Sequence, residues 1–187
     1  RLRHTFSGAS LTPSDLGPNL TTEAGTPSVS AGLIKPSTST TLEIGYRSAN
    51  LAINATHDAW LNFGNSAGAS RNLYVRLRRH PTTDNSLWVR FNRSADHIRL
   101  DKIVDGVVTQ VAIQTSAGIS DSTTYLARVI ARGTSIRVLF GTSVATLTER
   151  IAATVTEHTS NGGVGLILAD NAATPTLQVD LYEVYMP

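Results

Sequence analysis

The strongest constraint on the fold is a strict alternation of apolar and polar residues between Leu73 and Lys102. Three runs show it: LYVRLRR from residue 73, LWVRFNR from residue 87 and HIRLD from residue 97. In an extended strand every second side chain points to the same side, so each run has one apolar side and one side rich in aromatic and basic residues. The alternation predicts a sheet with one buried face and one face open to water or a partner.

The rest of the chain follows the same rhythm. From Thr41 onward, short apolar runs recur every eight to twelve residues and are separated by turn sequences such as Asp105-Gly106 and Arg132-Gly133. Only the stretch 144–157 tolerates a helical interpretation, and its Thr-Val-Thr run weakens that. We therefore predict one all-β domain over residues 1–187, an antiparallel β-sandwich of jelly-roll type, with 1–40 an irregular segment that packs on the sandwich and contains one or two short strands. The predicted core consists of Leu73, Val75, Leu77, Leu87, Val89, Phe91, Ile98, Leu100, Val129, Ile136, Val138, Phe140, Val164, Leu166 and Leu181.

Composition excludes several classes of protein. The chain has 187 residues, no cysteine and a net charge of +2, which is too small for a dedicated nucleic-acid binder. The positive charge is concentrated in residues 71–102, which contain eight basic and three acidic side chains. No apolar stretch approaches the eighteen residues of a membrane span, and no signal segment is recognisable. Because the first residue is Arg rather than Met, we expect a processed chain or a fragment.

Several segments resemble a known family. The stretch LGPNLTTEAGTPSVSAGLIKPS, residues 16–37, is similar to the opening of concanavalin A-like, laminin G-like jelly-roll domains found in secreted proteins of actinobacteria and in phage tail proteins. The runs SIRVLFG and GGVGLIL and the closing VDLYEV match later landmarks of these domains, and the last is expected to pair back toward the N-terminus. Leu20 and Pro27 stand where the family usually has tryptophan, so the role of those rings does not carry over.

The resemblance implies a non-catalytic, lectin-like module of a phage virion, a tail or surface decoration protein that binds bacterial surface polysaccharide in many copies or as a homo-oligomer. It places the protein on a virion surface or outside the cell. The same resemblance leaves two alternatives open, since the family also contains structural modules and enzymes. One is a structural virion protein that acts through protein contacts, and the other is a polysaccharide hydrolase.

The predicted binding surface is the polar side of the three alternating strands. Aromatic rings provide flat apolar platforms and arginine provides forked donors, a combination that suits a polar ring compound. A solvated face and a protein contact explain the same residues, so a glycan site is one of three interpretations. The glycan- or partner-binding residues on this face are Tyr74, Arg76, Arg78, Trp88, Arg90, His97 and Arg99.

Two patterns that suggest catalysis are weak. Gly64-Asn65-Ser66-Ala67-Gly68 fits a nucleophile elbow, but that motif needs a helix after the serine, and LYVRL predicts a strand there. Gln178, Asp180 and Glu183 approach a glycosidase arrangement of three carboxylates, yet the first member is an amide, which cannot act as a nucleophile. We therefore assign no catalytic residue and predict that the protein is not an enzyme.

The sequence supports no cofactor and no metal site. The five histidines lack zinc-binding spacing. Calcium is the one metal left open, through loop oxygens of Asp84 with Asn85 or of Asp170 with Asn171, although the twelve-residue calcium loop is absent. These side chains also favour turns, which explains them without a metal.

Overall fold

A computed structural model describes residues 2–5, 21–25, 27–30, 33–37, 41–46, 54–65, 70–160 and 162–185. Within these residues the chain forms fifteen β-strands. The helical segment in this part of the chain is a single 3-10 turn at Val144–Thr146. The strands are β1 Leu2–Thr5, β2 Thr21–Ala24, β3 Pro27–Ser30, β4 Leu33–Pro36, β5 Thr41–Tyr46, β6 Ala55–Asn62, β7 Arg71–Arg79, β8 Ser86–Asn92, β9 His97–Val104, β10 Val107–Thr115, β11 Thr124–Arg132, β12 Ser135–Gly141, β13 Thr148–Thr154, β14 Gly163–Asp170 and β15 Gln178–Tyr185.

The strands make two antiparallel sheets packed face to face. Sheet A has the order β13-β12-β11-β6-β15-β4-β3, and β1 also pairs with β15. Sheet B has the order β10-β9-β8-β7-β14-β5-β2. The predicted β-sandwich is confirmed, and the closing strand pairs with the N-terminus as expected, with Leu2 opposite Val184.

The three alternating runs become β7, β8 and β9, which lie side by side in sheet B. Val75 pairs with Val89, and Val89 pairs with Leu100, so the apolar members form continuous rows on the inner face. All three are fully buried. The two sheets meet where Phe91 of sheet B stacks on Phe140 of sheet A, with ring centroids 5.4 Å apart. Within sheet A, Phe140 also stacks on Tyr125 of the neighbouring strand, with centroids 4.6 Å apart.

The structure corrects several details of the fold predicted from the sequence. Leu181 is not in the core, because a β-bulge between Val179 and Leu181 shifts the alternation of β15 and turns Tyr182 and Val184 inward instead. The segment 1–40 holds four short strands rather than one or two, with the remaining predicted irregular residues there outside the described part. The stretch 144–157, which tolerated a helical interpretation, begins with the 3-10 turn Val144–Thr146 and continues as strand β13, Thr148–Thr154.

Arg78 does not lie on the polar face where its position in the alternation places it. A β-bulge in the pairing of β7 with β14 breaks the period, and Arg78 adopts a positive φ of 52°. Its side chain is fully buried and its Nη2 donates to the carbonyl oxygen of Gly133, in the turn between β11 and β12 of the opposite sheet. Arg79 takes its place on the outer face.

The interior also contains a buried polar pair. His57 Nδ1 lies 2.9 Å from the Tyr182 hydroxyl, and both side chains are fully buried. Burial lowers the pKa of His57 to about 3, with a further contribution from the charge of Arg78, and burial raises the pKa of Tyr182. His57 is therefore neutral in the folded protein at physiological pH.

Replacing Val89 by Asp tests the assignment of the inner face. We expect Val89→Asp to lower the free energy of unfolding by about 3 kcal/mol or more, because a carboxylate would be buried without a partner. Val107→Asp is the matched control: Val107 belongs to the same sheet but is 65% exposed, so its unfolding free energy should change by less than about 1 kcal/mol. Urea unfolding measures both, and equal effects would contradict the assignment.

The His57–Tyr182 pair predicts a pH dependence of stability. Below pH 6.5 the unfolded chain protonates His57 while the folded chain does not, down to a pKa of about 3, so stability falls as the pH falls through this window. Replacing His57 by Gln removes this contribution. Between pH 6 and pH 4, the unfolding free energy of the wild type should fall more steeply than that of His57→Gln, by about 1 kcal/mol per pH unit. Parallel curves would show that His57 does not titrate differently in the two states.

Candidate functional site

The outer face of sheet B collects the polar members of the alternating runs. Tyr74 pairs with Arg90 and Arg90 with Arg99, while Arg76 pairs with Trp88. Of the seven predicted site residues, the structure brings six together on this face, and Arg78 alone lies elsewhere. The six are Tyr74, Arg76, Trp88, Arg90, His97 and Arg99.

Trp88 is the centre of this surface. Its ring is partly exposed and meets the Tyr74 ring edge to face, with centroids 5.4 Å apart and planes at 77°. The guanidinium carbon of Arg76 lies 5.2 Å from the Trp88 ring centroid, within cation–π distance. Trp88 Nε1 donates to the Ser86 hydroxyl at 2.9 Å, which fixes the orientation of the indole.

Two carboxylates hold the arginines of this face in place. Glu43, on β5, accepts from Arg76 Nη1, and Arg79 Nη2 lies 3.1 Å from Glu43 Oε1. Asp84, in the loop between β7 and β8, lies 3.8 Å from Arg76 and 3.7 Å from Arg79. Because both guanidinium groups are almost fully buried, the carboxylates balance two positive charges that have little contact with water.

A shallow depression of ≈ 220 Å³ opens where these groups meet. Its apolar part combines the Trp88 ring with aliphatic side chains from β9, β10 and β14, and its polar part combines an arginine with two carboxylates. The lining residues are Glu43, Arg76, Asp84, Trp88, Ile103, Gly106, Val108 and Ile167. The side chain of Asp84 is 71% exposed at the rim, so its carboxylate is accessible to a ligand in the depression.

Loop contacts keep the rim in position. Asn85 Oδ1 accepts from the backbone N–H of Asp105 at 2.7 Å, and Asn85 Nδ2 donates to Asp105 Oδ1 at 3.3 Å. These bonds join the β7–β8 loop to the β9–β10 turn. The depression is thus bordered by two loops that support each other.

The other end of the face is a cluster of positive charge. Arg90 Nη2 donates to His97 Nε2 at 2.8 Å, and Arg99 Nε donates to Asp101 Oδ2 at 2.8 Å. Burial lowers the pKa of His97, and the charges of Arg90 and Arg99 lower it further, against the opposing effect of Asp101 and Asp96. His97 therefore accepts as a neutral ring, and this end of the face favours a ligand with acceptor oxygens.

The structure describes only part of the two patterns that suggested catalysis. In the first pattern Gly64 and Asn65 are described and the next element along the chain is strand β7, while Ser66 and Gly68 lie outside the described residues. On β15, Glu183 is 6% exposed and accepts from the Tyr185 hydroxyl, whereas Asp180 is exposed and lines a different depression with Gln178.

The loop oxygens considered for calcium are used within the fold. Asp170 accepts from the backbone N–H groups of Ala172, Thr176 and Leu177 at 2.7 to 3.0 Å, and Asn171 Oδ1 accepts from Ser70 N. Asp84 and Asn85 have the partners described above. In the part of the chain that the structure describes, no three His, Asp or Glu side chains converge as metal ligands.

Sequence reasoning missed Glu43, Ile103, Val108 and Ile167. Glu43 and Ile167 belong to β5 and β14, which reach this site only through the sheet order, and alternation does not reveal that order. It also missed Trp60 of β6, although the run AWLNF places Trp60 and Asn62 opposite Leu61 and Phe63 and could have indicated it.

Comparison with known proteins shows a shared fold without a shared family. No family model and no curated protein matches the sequence. Among solved structures, the carbohydrate-binding module CBM66 of Bacillus subtilis has a TM-score of 0.68 at 13% identity, over 90% of this chain and 96% of that one. The exoplasmic/lumenal domain of VIP36, bound to Ca²⁺ and Man2, has a TM-score of 0.67 at 11% identity, over 99% and 87%.

Two further solved structures share the fold. The CBM2 module of the evolved Dit protein of Lactobacillus casei BL23 phage J-1 has a TM-score of 0.59 at 12% identity, over 97% of this chain and 88% of that one. The GH43 protein BlXynB of Bacillus licheniformis has a TM-score of 0.70 at 9% identity, but this chain covers only 39% of it. At these identities the likeness shows the fold: a β-sandwich of the kind seen in carbohydrate-binding modules and lectins.

The described residues contain no helix that is long and apolar enough to span a bilayer.

The double ion pair of Glu43 predicts a large effect of neutralising that side chain. Glu43→Gln should lower the free energy of unfolding by about 2 kcal/mol or more, because Arg76 and Arg79 would stay buried with less compensating charge. The matched control is Glu149→Gln, which neutralises the partner of Arg137 in a pair whose side chains are 40% and 51% exposed. It should cost less than about 1 kcal/mol. Chemical denaturation of both variants measures the difference, and a small effect at Glu43 would contradict the role assigned to it.

Proposed function

We propose that this protein is a non-catalytic, lectin-like module that binds polysaccharide on the outer face of sheet B. The observation that carries the proposal is the depression in which an oriented Trp88 ring meets Arg76 and the carboxylates of Glu43 and Asp84. An aromatic ring packs against the C–H face of a sugar, while carboxylates accept from its hydroxyl groups and guanidinium groups donate to its oxygens.

The finer proposal is that the module is displayed on a phage virion and faces a bacterial surface polysaccharide. Support comes from the resemblance of residues 16–37 to jelly-roll domains of phage tail proteins, and from the fold shared with the module of the phage J-1 Dit protein. A shallow site of this size binds weakly, with a dissociation constant of about 1 mM, or about −4 kcal/mol. Firm adhesion then requires many copies acting together, as a homo-oligomer or on a particle.

A structural virion protein is the second candidate, and the edge of sheet B favours it. Val107, Val108 and Ile113 of the edge strand β10 are 65%, 48% and 42% exposed. Exposed apolar residues on an edge strand are a typical site of protein contact. In this alternative the domain holds an assembly together and binds no sugar.

Substitution of Trp88 tests the glycan proposal. A glycan array identifies the ligand, and affinity electrophoresis against that polysaccharide then compares the variants. Trp88→Ala should weaken retention roughly tenfold, because the platform is lost, whereas Trp88→Phe, which keeps an aromatic ring, should weaken it by about threefold or less. Arg90→Ala should weaken retention as well, since it removes a donor from the same face.

The same variants separate the two candidates. If Trp88→Ala and Arg90→Ala fold normally by circular dichroism and leave retention unchanged, sheet B is not the glycan site. If, in addition, Val107→Lys loosens the assembly from which the protein is purified while the wild type binds no glycan on the array, the structural alternative is correct.

A further inference from the structure

The chain has two tryptophans, and they lie on opposite outer faces of the sandwich, each lining a depression. Trp88 belongs to sheet B, and Trp60 belongs to β6 in the middle of sheet A. Both side chains are partly exposed. Large aromatic side chains left partly in water on a rigid sheet often mark binding surfaces.

We propose that the Trp60 depression is a second carbohydrate subsite, specific for a single neutral sugar unit, so that one domain has a binding site on each face. This proposal stands independently of the site on sheet B. The depression has a volume of ≈ 160 Å³ and is lined by Leu33, Trp60, Leu61, Asn62, Thr124, Gln178 and Asp180. This is smaller than the few hundred Å³ of a typical pocket for a drug-sized ligand, which favours one sugar ring over an extended chain.

The sheet register places polar groups beside the ring. Asn62 follows Trp60 on the same face of β6, and Asn62 pairs with Thr124 of β11 and with Gln178 of β15. The Asn62 amide is held in place, because its Oδ1 accepts from Gly64 N at 2.8 Å and its Nδ2 donates to Thr124 Oγ1 at 3.3 Å. The polar side of the subsite is thus built on three neighbouring strands.

Two side chains in the subsite have hydrogen-bonding capacity left over. Neither the Gln178 side-chain amide nor the Asp180 carboxylate has a hydrogen-bond partner among the described residues, and both residues line the depression. Asp180 reaches it through the bulge between Val179 and Leu181, where an extra residue leaves the strand pairing and its side chain is redirected. A carboxylate can accept from two adjacent hydroxyl groups of a sugar, and an amide can both donate and accept.

Charge distinguishes the ligands of the two faces. The Trp60 depression carries the negative charge of Asp180 and no lysine or arginine in its lining, so it should reject an anionic sugar. The sheet B face carries Arg76, Arg90 and Arg99, so it can accommodate an anionic sugar. A neutral monosaccharide is therefore the ligand class of the sheet A subsite.

Tryptophan fluorescence separates the two sites because each contains one of the two indoles. In Trp88→Phe the emission comes from Trp60 alone, and in Trp60→Phe it comes from Trp88 alone. Each variant is titrated with mannose, galactose, glucose, N-acetylglucosamine and galacturonate. We expect a saturable change in the emission of Trp88→Phe with at least one neutral sugar and none with galacturonate, and a loss of at least tenfold in that response in the Trp88→Phe/Asp180→Asn variant.

The matched control is Asp105→Asn in the Trp88→Phe background. It also removes one negative charge, but from an exposed side chain in a turn that does not line the Trp60 depression. It should leave the fluorescence response of Trp60 unchanged. The inference is wrong if the emission of Trp60 never saturates with a neutral sugar, or if Asp180→Asn has no more effect than Asp105→Asn. A response in Trp60→Phe without one in Trp88→Phe would overturn this inference and leave the proposed function intact. The opposite pattern would support the sheet A subsite and count against the site on sheet B.

Discussion

The burial of one face of sheet B against sheet A is the constraint on which the rest of the structure depends. Val75, Val89 and Leu100 are fully buried in neighbouring strands, and each such side chain contributes about 2 kcal/mol to folding. Because successive residues of a strand point to opposite faces, burial of these side chains obliges their neighbours to face outward. The burial of the inner face thus fixes which side chains lie on the outer face.

The outer face is ordered by its charges as well as by its strands. Glu43 brings together two arginines of β7 from a strand that is distant in sequence, and Asp84 approaches the same two from a loop. The Arg76 guanidinium in turn lies over the Trp88 ring. An aromatic platform held in this way loses little rotational freedom when it meets a ligand, so a small site can bind without a large entropic cost.

The two sheets differ in the chemistry they present. Sheet B combines Trp88 with buried ion pairs and a cluster of arginines around a neutral His97, whereas sheet A combines Trp60 with amide, hydroxyl and carboxylate groups. The edge strand β10 adds exposed valines beside the sheet B depression.

The sequence by itself determined the sandwich and its inner face, and it placed six of the seven residues predicted for binding on the outer face of sheet B, since period-two alternation depends only on strand geometry. Alternation failed at Arg78 and Leu181, where β-bulges insert one residue and reverse the side of everything that follows. The tertiary structure alone decided that β5 and β14 lie beside β7, which brings Glu43 and Ile167 to Trp88. Strand order arises from the packing of the whole chain, so it cannot be predicted from the local alternation of apolar and polar residues.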